Sequence, residues 1–118
     1  MGRQCTLDDT NLSVIERQAL ADLRARLFAE LDFVQEIVLF GSAARGTADV
    51  ESDIDLLVLT KYALPYQQRH LITGVLTDIN DLYETNFSSF VVDRAEWEEG
   101  VITVLPIKRE IEQDGVLV

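Results

Sequence analysis

A chain of 118 residues that is 47% hydrophobic and 26% charged has the apolar content to build one compact core, which excludes a largely disordered or low-complexity protein. Its formal net charge of −11 would repel the phosphates of a duplex, and its basic residues are scattered, Arg24 and Arg26 early and Lys108 and Arg109 late, so nucleic acid is disfavoured as a partner. The single cysteine, Cys5, excludes an intrachain disulfide, and with no apolar run of signal-peptide or membrane-span length the expectation is a cytoplasmic chain with no membrane partner.

In chain order, Leu12, Ile15, Ala19, Leu20, Leu23, Leu27 and Leu31 recur at three- and four-residue steps, which predicts a helix from Asn11 to Leu31 capped by Asn11 or Ser13. Val34 to Phe40 is short, β-branched and apolar, a buried strand that runs into a tight turn at Gly41. A polar loop through Gly46, Thr47 and Asp49 to Ser52 leads to a second strand, Ile54 to Leu59. Pro65 opens a long helix reaching about Tyr83, with Leu71, Ile72, Val75, Leu76, Ile79 and Leu82 as its packed stripe. A third strand is expected near Ser88 to Val92, then two helical pieces broken around Gly100, the second starting at Pro106 and stopping at Gly115. No repeat and no Pro/Gly/Ser-rich linker interrupts residues 1–118, so the expectation is one domain of α/β class, a small sheet covered by helices.

The chemistry concentrates between Val38 and Leu59. Gly41 at a strand exit lets the backbone approach a ligand closely. If Ser42 opens a short helix through Arg45, its hydroxyl and the free N–H groups of that helix start converge on one spot suited to phosphate. A Gly-Ser pair at a strand end is more often a plain turn, so the pair carries little alone. Asp53 and Asp55 flank Ile54, and the period of two places both carboxylates on one sheet face with α-carbons roughly 7 Å apart. Two like charges at that distance repel by about 2 kcal/mol at an effective dielectric near 20, which favours a cation between them. Magnesium suits the pair because it takes one or two carboxylates together with substrate phosphates. The competing reading is a solvated edge strand that uses acids against aggregation.

Together Gly41-Ser42, the ten residues Ala43 to Ser52, and Asp53-Ile54-Asp55 resemble the minimal nucleotidyltransferases of the DNA polymerase beta superfamily, whose pattern is Gly-Ser, a spacer of about ten residues, then Asp-X-Asp. The flanking Phe-Gly-Ser-Ala-Ala-Arg-Gly and Ser-Asp-Ile-Asp-Leu-Leu-Val are similar to the family too, and Leu105 to Val118 resembles its terminal helix and strand. The resemblance implies an α+β nucleotidyltransferase fold with a mixed sheet of three to four strands. It further implies that Gly41 and Ser42 hold a triphosphate, that Arg45 braces the turn or touches phosphate, and that Asp53 and Asp55 carry two Mg2+ ions and the catalysis. The implied reaction is transfer of a nucleoside monophosphate, AMP from ATP, to an acceptor. An antitoxin that modifies a HEPN-type helical partner is one form of it. Family members usually place a third carboxylate on the strand after the long helix, where this chain has Ser88 and Ser89 unless Asp93 serves. That departure supports an alternative, a catalytically impaired module that binds nucleotide or docks a partner.

Other residues read as structural. His70 falls inside the long helix, Trp97 between acids is more often a core anchor or dimer contact than an adenine stacker, and Asp78, Asp81 and Glu84 form an outward helix face. Asp49 and Glu51 are expected to be solvated loop residues. Apolar residues near the terminal helices offer a surface for a homodimer.

Overall fold

The computed structural model describes residues 12–46 and 53–118. Helix α1 (Val14–Glu30) begins where Ser13 closes a reciprocal cap: its hydroxyl accepts from the Glu16 N–H at 3.1 Å, and the Glu16 carboxylate accepts from the Ser13 N–H at 2.8 Å. Ser13 is therefore the cap, while Asn11 lies outside the described residues. Strand β1 (Val34–Phe40), the short helix α2 (Gly41–Arg45), strand β2 (Ile54–Thr60) and the long helix α3 (Tyr66–Tyr83) follow. Strand β3 (Phe87–Asp93), helix α4 (Arg94–Glu99), a 3₁₀ turn (Val101–Val104), helix α5 (Pro106–Asp114) and strand β4 (Val116–Leu117) complete the order. The expected break at Gly100, start at Pro106 and stop at Gly115 all fall where the helices change.

Among the described residues four strands form one mixed sheet in the order β3-β2-β1-β4. β1 runs antiparallel to β2 and β4, whereas β2 and β3 are parallel, with α3 as the crossover that parallel neighbours require. Side chains alternate between the two sheet faces. Ile37 and Leu39 of β1, Ile54, Leu56 and Val58 of β2 and Phe87 of β3 join one buried cluster with Ala19, Leu20, Leu23 and Leu27 of α1 and Ile72, Leu76 and Ile79 of α3. Val38, Leu57, Leu59 and Val92 face the other way, under Trp97, Ile102 and Ile111. No helix among the described residues is long and apolar enough to cross a membrane.

Two helical stripes are narrower than the sequence pattern suggests. Ile15 is 57% exposed, Leu71 50% and Leu82 61%. A single sheet beneath a helix covers a stripe roughly 100° wide, and these three fall on its flanks.

The start of β3 is fixed by one side chain. Asn80 in α3 accepts from the Phe87 N–H at 2.8 Å and from the Thr85 hydroxyl at 3.0 Å, and its amide donates to the Phe87 carbonyl at 3.0 Å. Glu84 takes a left-handed conformation (φ 55°) to end the helix, its N–H donating to the Asn80 carbonyl. Helix end and strand start thus share one anchor, which sets the alignment of β3 beside β2.

Candidate functional site

The antiparallel register pairs Phe40 with Asp55, so the residue that leaves β1 arrives beside the acidic strand. That residue, Gly41, has φ 77°, and a β-carbon there would stand 2.6 Å from Asp55 Oδ2. Glycine is required twice, by the left-handed backbone and by the carboxylate pressed against it. The helical turn opens at Gly41, one residue before the expected Ser42, and ends at Gly46 (φ 75°). Ala43 and Ala44 are buried in the core under α1 and α3, which holds the turn down, while Ser42 is half-buried and Arg45 exposed.

Asp53 is exposed immediately before β2, and Asp55 is half-buried one alternation further on. On either side of Asp55 the register sets Phe40 on β1 and Ser88 on β3, all projecting from the face opposite α1 and α3. Burial raises the proton affinity of Asp55 above the usual carboxylate range, the charge of Asp53 raises it further, and the Arg45 guanidinium acts in the opposite sense. The structure thus places Gly41 against Asp55, with Arg45 and Asp53 near enough for their charges to act on it. A hard divalent cation fits such a donor set: oxygen ligands only, and two acids, one exposed and one half-buried, whose mutual repulsion it would relieve.

Of the β3 residues weighed against a third acid, Ser88 is exposed and directly beside Asp55. Asp93 lies five residues further along β3, about 17 Å away at 3.3 Å per residue. It pairs with Thr60 and accepts from the Glu96 N–H at 3.1 Å as the cap of α4. Asp93 is therefore spent on structure. Among the described residues no group of three or more histidine, cysteine, aspartate and glutamate side chains gathers that could hold a metal ion. Asp49, Glu51 and most of the loop before Asp53 lie outside the described residues.

His70 sits on α3, across the sheet from the acids, with its ring edge-on to Tyr66 at 4.3 Å. Trp97 is 8% exposed in the front cluster, and its carbonyl accepts from Lys108 Nζ at 2.7 Å, so it is a core anchor. Sequence reasoning missed Phe40 and Asn80. Phe40 stands opposite Asp55 in the antiparallel register and packs against the front cluster, a place that only the pairing of β1 with β2 reveals. Asn80 had no signal, because a helical asparagine looks like any polar surface residue until its amide meets a strand.

Residues 20–116 match the family model described as "Nucleotidyltransferase domain". The chain belongs to that family. Among curated proteins none matches it. Among solved structures, a candidate nucleotidyltransferase from Sulfolobus solfataricus is 20% identical with a TM-score of 0.57, over 99% of this chain and 89% of that one. A toxin-antitoxin complex with AMP-PNP matches at 21% identity and TM-score 0.57, over 85% of this chain and 69% of that one. An MNT antitoxin in complex with a tri-AMPylated HEPN toxin from Shewanella oneidensis gives 17% identity and a TM-score of 0.54, over 86% and 69%. At these identities the shared property is the fold, a four-stranded mixed sheet with helices on both faces. It places the glycine turn and the acidic strand of this nucleotidyltransferase domain side by side.

Proposed function

We propose that this nucleotidyltransferase domain transfers a nucleoside monophosphate, AMP from ATP, to a hydroxyl on a partner protein. The observation that carries the reading is the close approach of Gly41 to Asp55 Oδ2, which leaves a side-chain-free surface beside a destabilised carboxylate. In this reading the triphosphate lies along Gly41 and Ser42, and Arg45 offsets its charge. Asp53 and Asp55 are the residues that would hold Mg2+, two ions with nucleotide bound. When bound, the metal supplies charge neutralisation at the α-phosphate while pyrophosphate leaves. The chain's own residues supply position: the register fixes Asp55, and the buried Ala43 and Ala44 fix the turn.

The acceptor in this reading is a helical protein of HEPN type. The fold's likeness to the MNT antitoxin bound to an AMPylated HEPN toxin supports it. The same reading makes residues 1–118 one working domain in the cytoplasm. A second reading, a module that binds nucleotide with impaired turnover, is favoured by one observation: the side chain beside Asp55 on β3 is the Ser88 hydroxyl, which cannot act as a carboxylate base.

Incubation with α-labelled ATP, magnesium and a co-purified partner separates the two. Label on the partner supports transfer, whereas magnesium-dependent ATP binding with no label supports the impaired module. Absence of both sinks the nucleotide reading altogether. Ser88→Asp is the companion variant, expected to raise labelling if a missing acid is what limits turnover.

A further inference from the structure

β3 forms one end of the sheet, so its outer side faces no strand of the described residues. The hydrogen-bonding direction along it can be worked out residue by residue. The Asn86 carbonyl accepts from the Ile54 N–H at 2.9 Å, toward β2, and both polar groups of Phe87 are taken by Asn80. Inward and outward residues alternate in a strand. Hence Ser88, Phe90 and Val92 bond to β2, and Ser89 and Val91 present their N–H and C=O outward. Among the described residues no hydrogen bond reaches those outward groups.

Such an edge is normally blunted by charge, proline or a bulge. From Phe87 to Val92 it reads Phe-Ser-Ser-Phe-Val-Val, without a charged residue or proline, and its pairing with β2 has no register shift. In a chain of net charge −11 it is a surface where two copies can meet without opposing their acids. The segment also complements itself. Turned antiparallel about Phe90, each serine meets a valine: Ser88 opposite Val92 and Ser89 opposite Val91, with the two Phe90 rings at the centre.

We propose that two copies of this chain join antiparallel along the outer edge of β3, Ser89 of each opposite Val91 of the other. The junction makes about four backbone hydrogen bonds, through the outward groups of Ser89 and Val91. It ends where the Asn80 amide already occupies Phe87. Two four-stranded sheets then become one of eight, with both acidic pairs on the same face. Phe90 and Phe90 are a non-hydrogen-bonded pair, with α-carbons about 4.5 Å apart, where aromatic cross-strand pairs pack best.

The test is light scattering on the full chain, with and without Ser89→Pro. Residue 89 directs its N–H away from β2, so proline there spares the sheet ladder and removes two donors from the junction. The expected result is a dimer for the parent chain and a folded monomer for Ser89→Pro, with unchanged far-UV circular dichroism and the same melting response to ATP and magnesium. The register is tested separately in a Cys5→Ser background. Phe90→Cys should form an intermolecular disulfide on oxidation, because its α-carbons stand within disulfide range, while Ser89→Cys, offset along the strands, should not. A parent chain that stays monomeric at 100 µM overturns the proposal. So does a dimer that survives Ser89→Pro and leaves Phe90→Cys unlinked, which would move the contact elsewhere, for instance to the exposed Val101 and Val104. Neither result bears on nucleotide binding, which the melting response reads independently.

Discussion

The two faces of the sheet are built from the same strands and do opposite work. The back face is continuous: Leu56, Val58 and Ile54 lie under Ile72, Leu76 and Ile79, and the one polar residue of β2 that alternates with them, Thr60, is fully buried with its hydroxyl donating to the Tyr62 carbonyl. The front face is closed only toward the end where Leu57, Leu59 and Val92 meet Trp97 and Ile111, and it opens at Asp53, Asp55 and Ser88. One strand thus anchors the fold on one side and leaves two acids at a rim on the other. Stability and binding are separated by the period of two, so substitutions one residue apart should have unlike consequences.

The largest effect is expected on the back face. Leu56→Ala removes a fully buried side chain and should cost about 2 to 5 kcal/mol in urea unfolding. Whatever fraction stays folded should still gain stability from ATP and magnesium. Loss of that gain would mean that the two faces are not separable. Next comes Asp53→Asn on the front face. A ligand at a hundredfold excess over its Kd stabilises by about 2.7 kcal/mol, and this variant should lose that rise in melting temperature while the unliganded protein melts no lower than the parent, since the repulsion on Asp55 is relieved. Retention of the full rise would remove the carboxylate pair from the site.

Gly41→Ala comes third and sits at the junction of both roles. Its left-handed backbone disfavours a β-carbon, and Asp55 Oδ2 stands 2.6 Å from where that carbon would be. A loss of about 1 to 3 kcal/mol is expected together with weaker nucleotide stabilisation. An alanine variant that melts and binds as the parent does would show that the close approach is incidental.

Much of this arrangement could be read before any coordinates. The strand Val34–Phe40 matches its expected bounds, and Asp55 takes the front face of β2, whereas Asp53 stands just before the strand, near enough for its charge to act on Asp55. Local signals sufficed there, because chemistry and secondary structure were written in the same few residues. Other features depended on distant partners. Leu71 and Leu82 fit the helical repeat yet face outward, since a repeat does not say how wide the covering layer is. The choice between Ser88 and Asp93 rested on the β2–β3 register, which is set by Asn80 reaching across a turn. No periodicity reports such a long-range bond. The fourth strand, two residues long, was legible only through the family resemblance of the chain end.

The smallest effect is the most discriminating, because its sign is opposite to the usual one. Burial and the charge of Asp53 hold the proton affinity of Asp55 above its ordinary value in the folded chain. A carboxyl whose folded value is raised favours folding when protonated and disfavours it when ionised, so its cost is absent below the unfolded value and complete once pH exceeds the folded one. Asp55→Asn should therefore raise the melting temperature of the ligand-free protein at pH 7, by no more than a few degrees. The advantage should shrink as pH falls through the carboxylate range and vanish near about pH 3. With ATP and magnesium present the order should reverse, because the parent gains what the variant has lost. Melting curves at both pH values, each with and without ligand, decide the matter. A variant less stable than the parent at neutral pH without ligand would show that Asp55 is held by favourable contacts, and that the front rim is structural like the back.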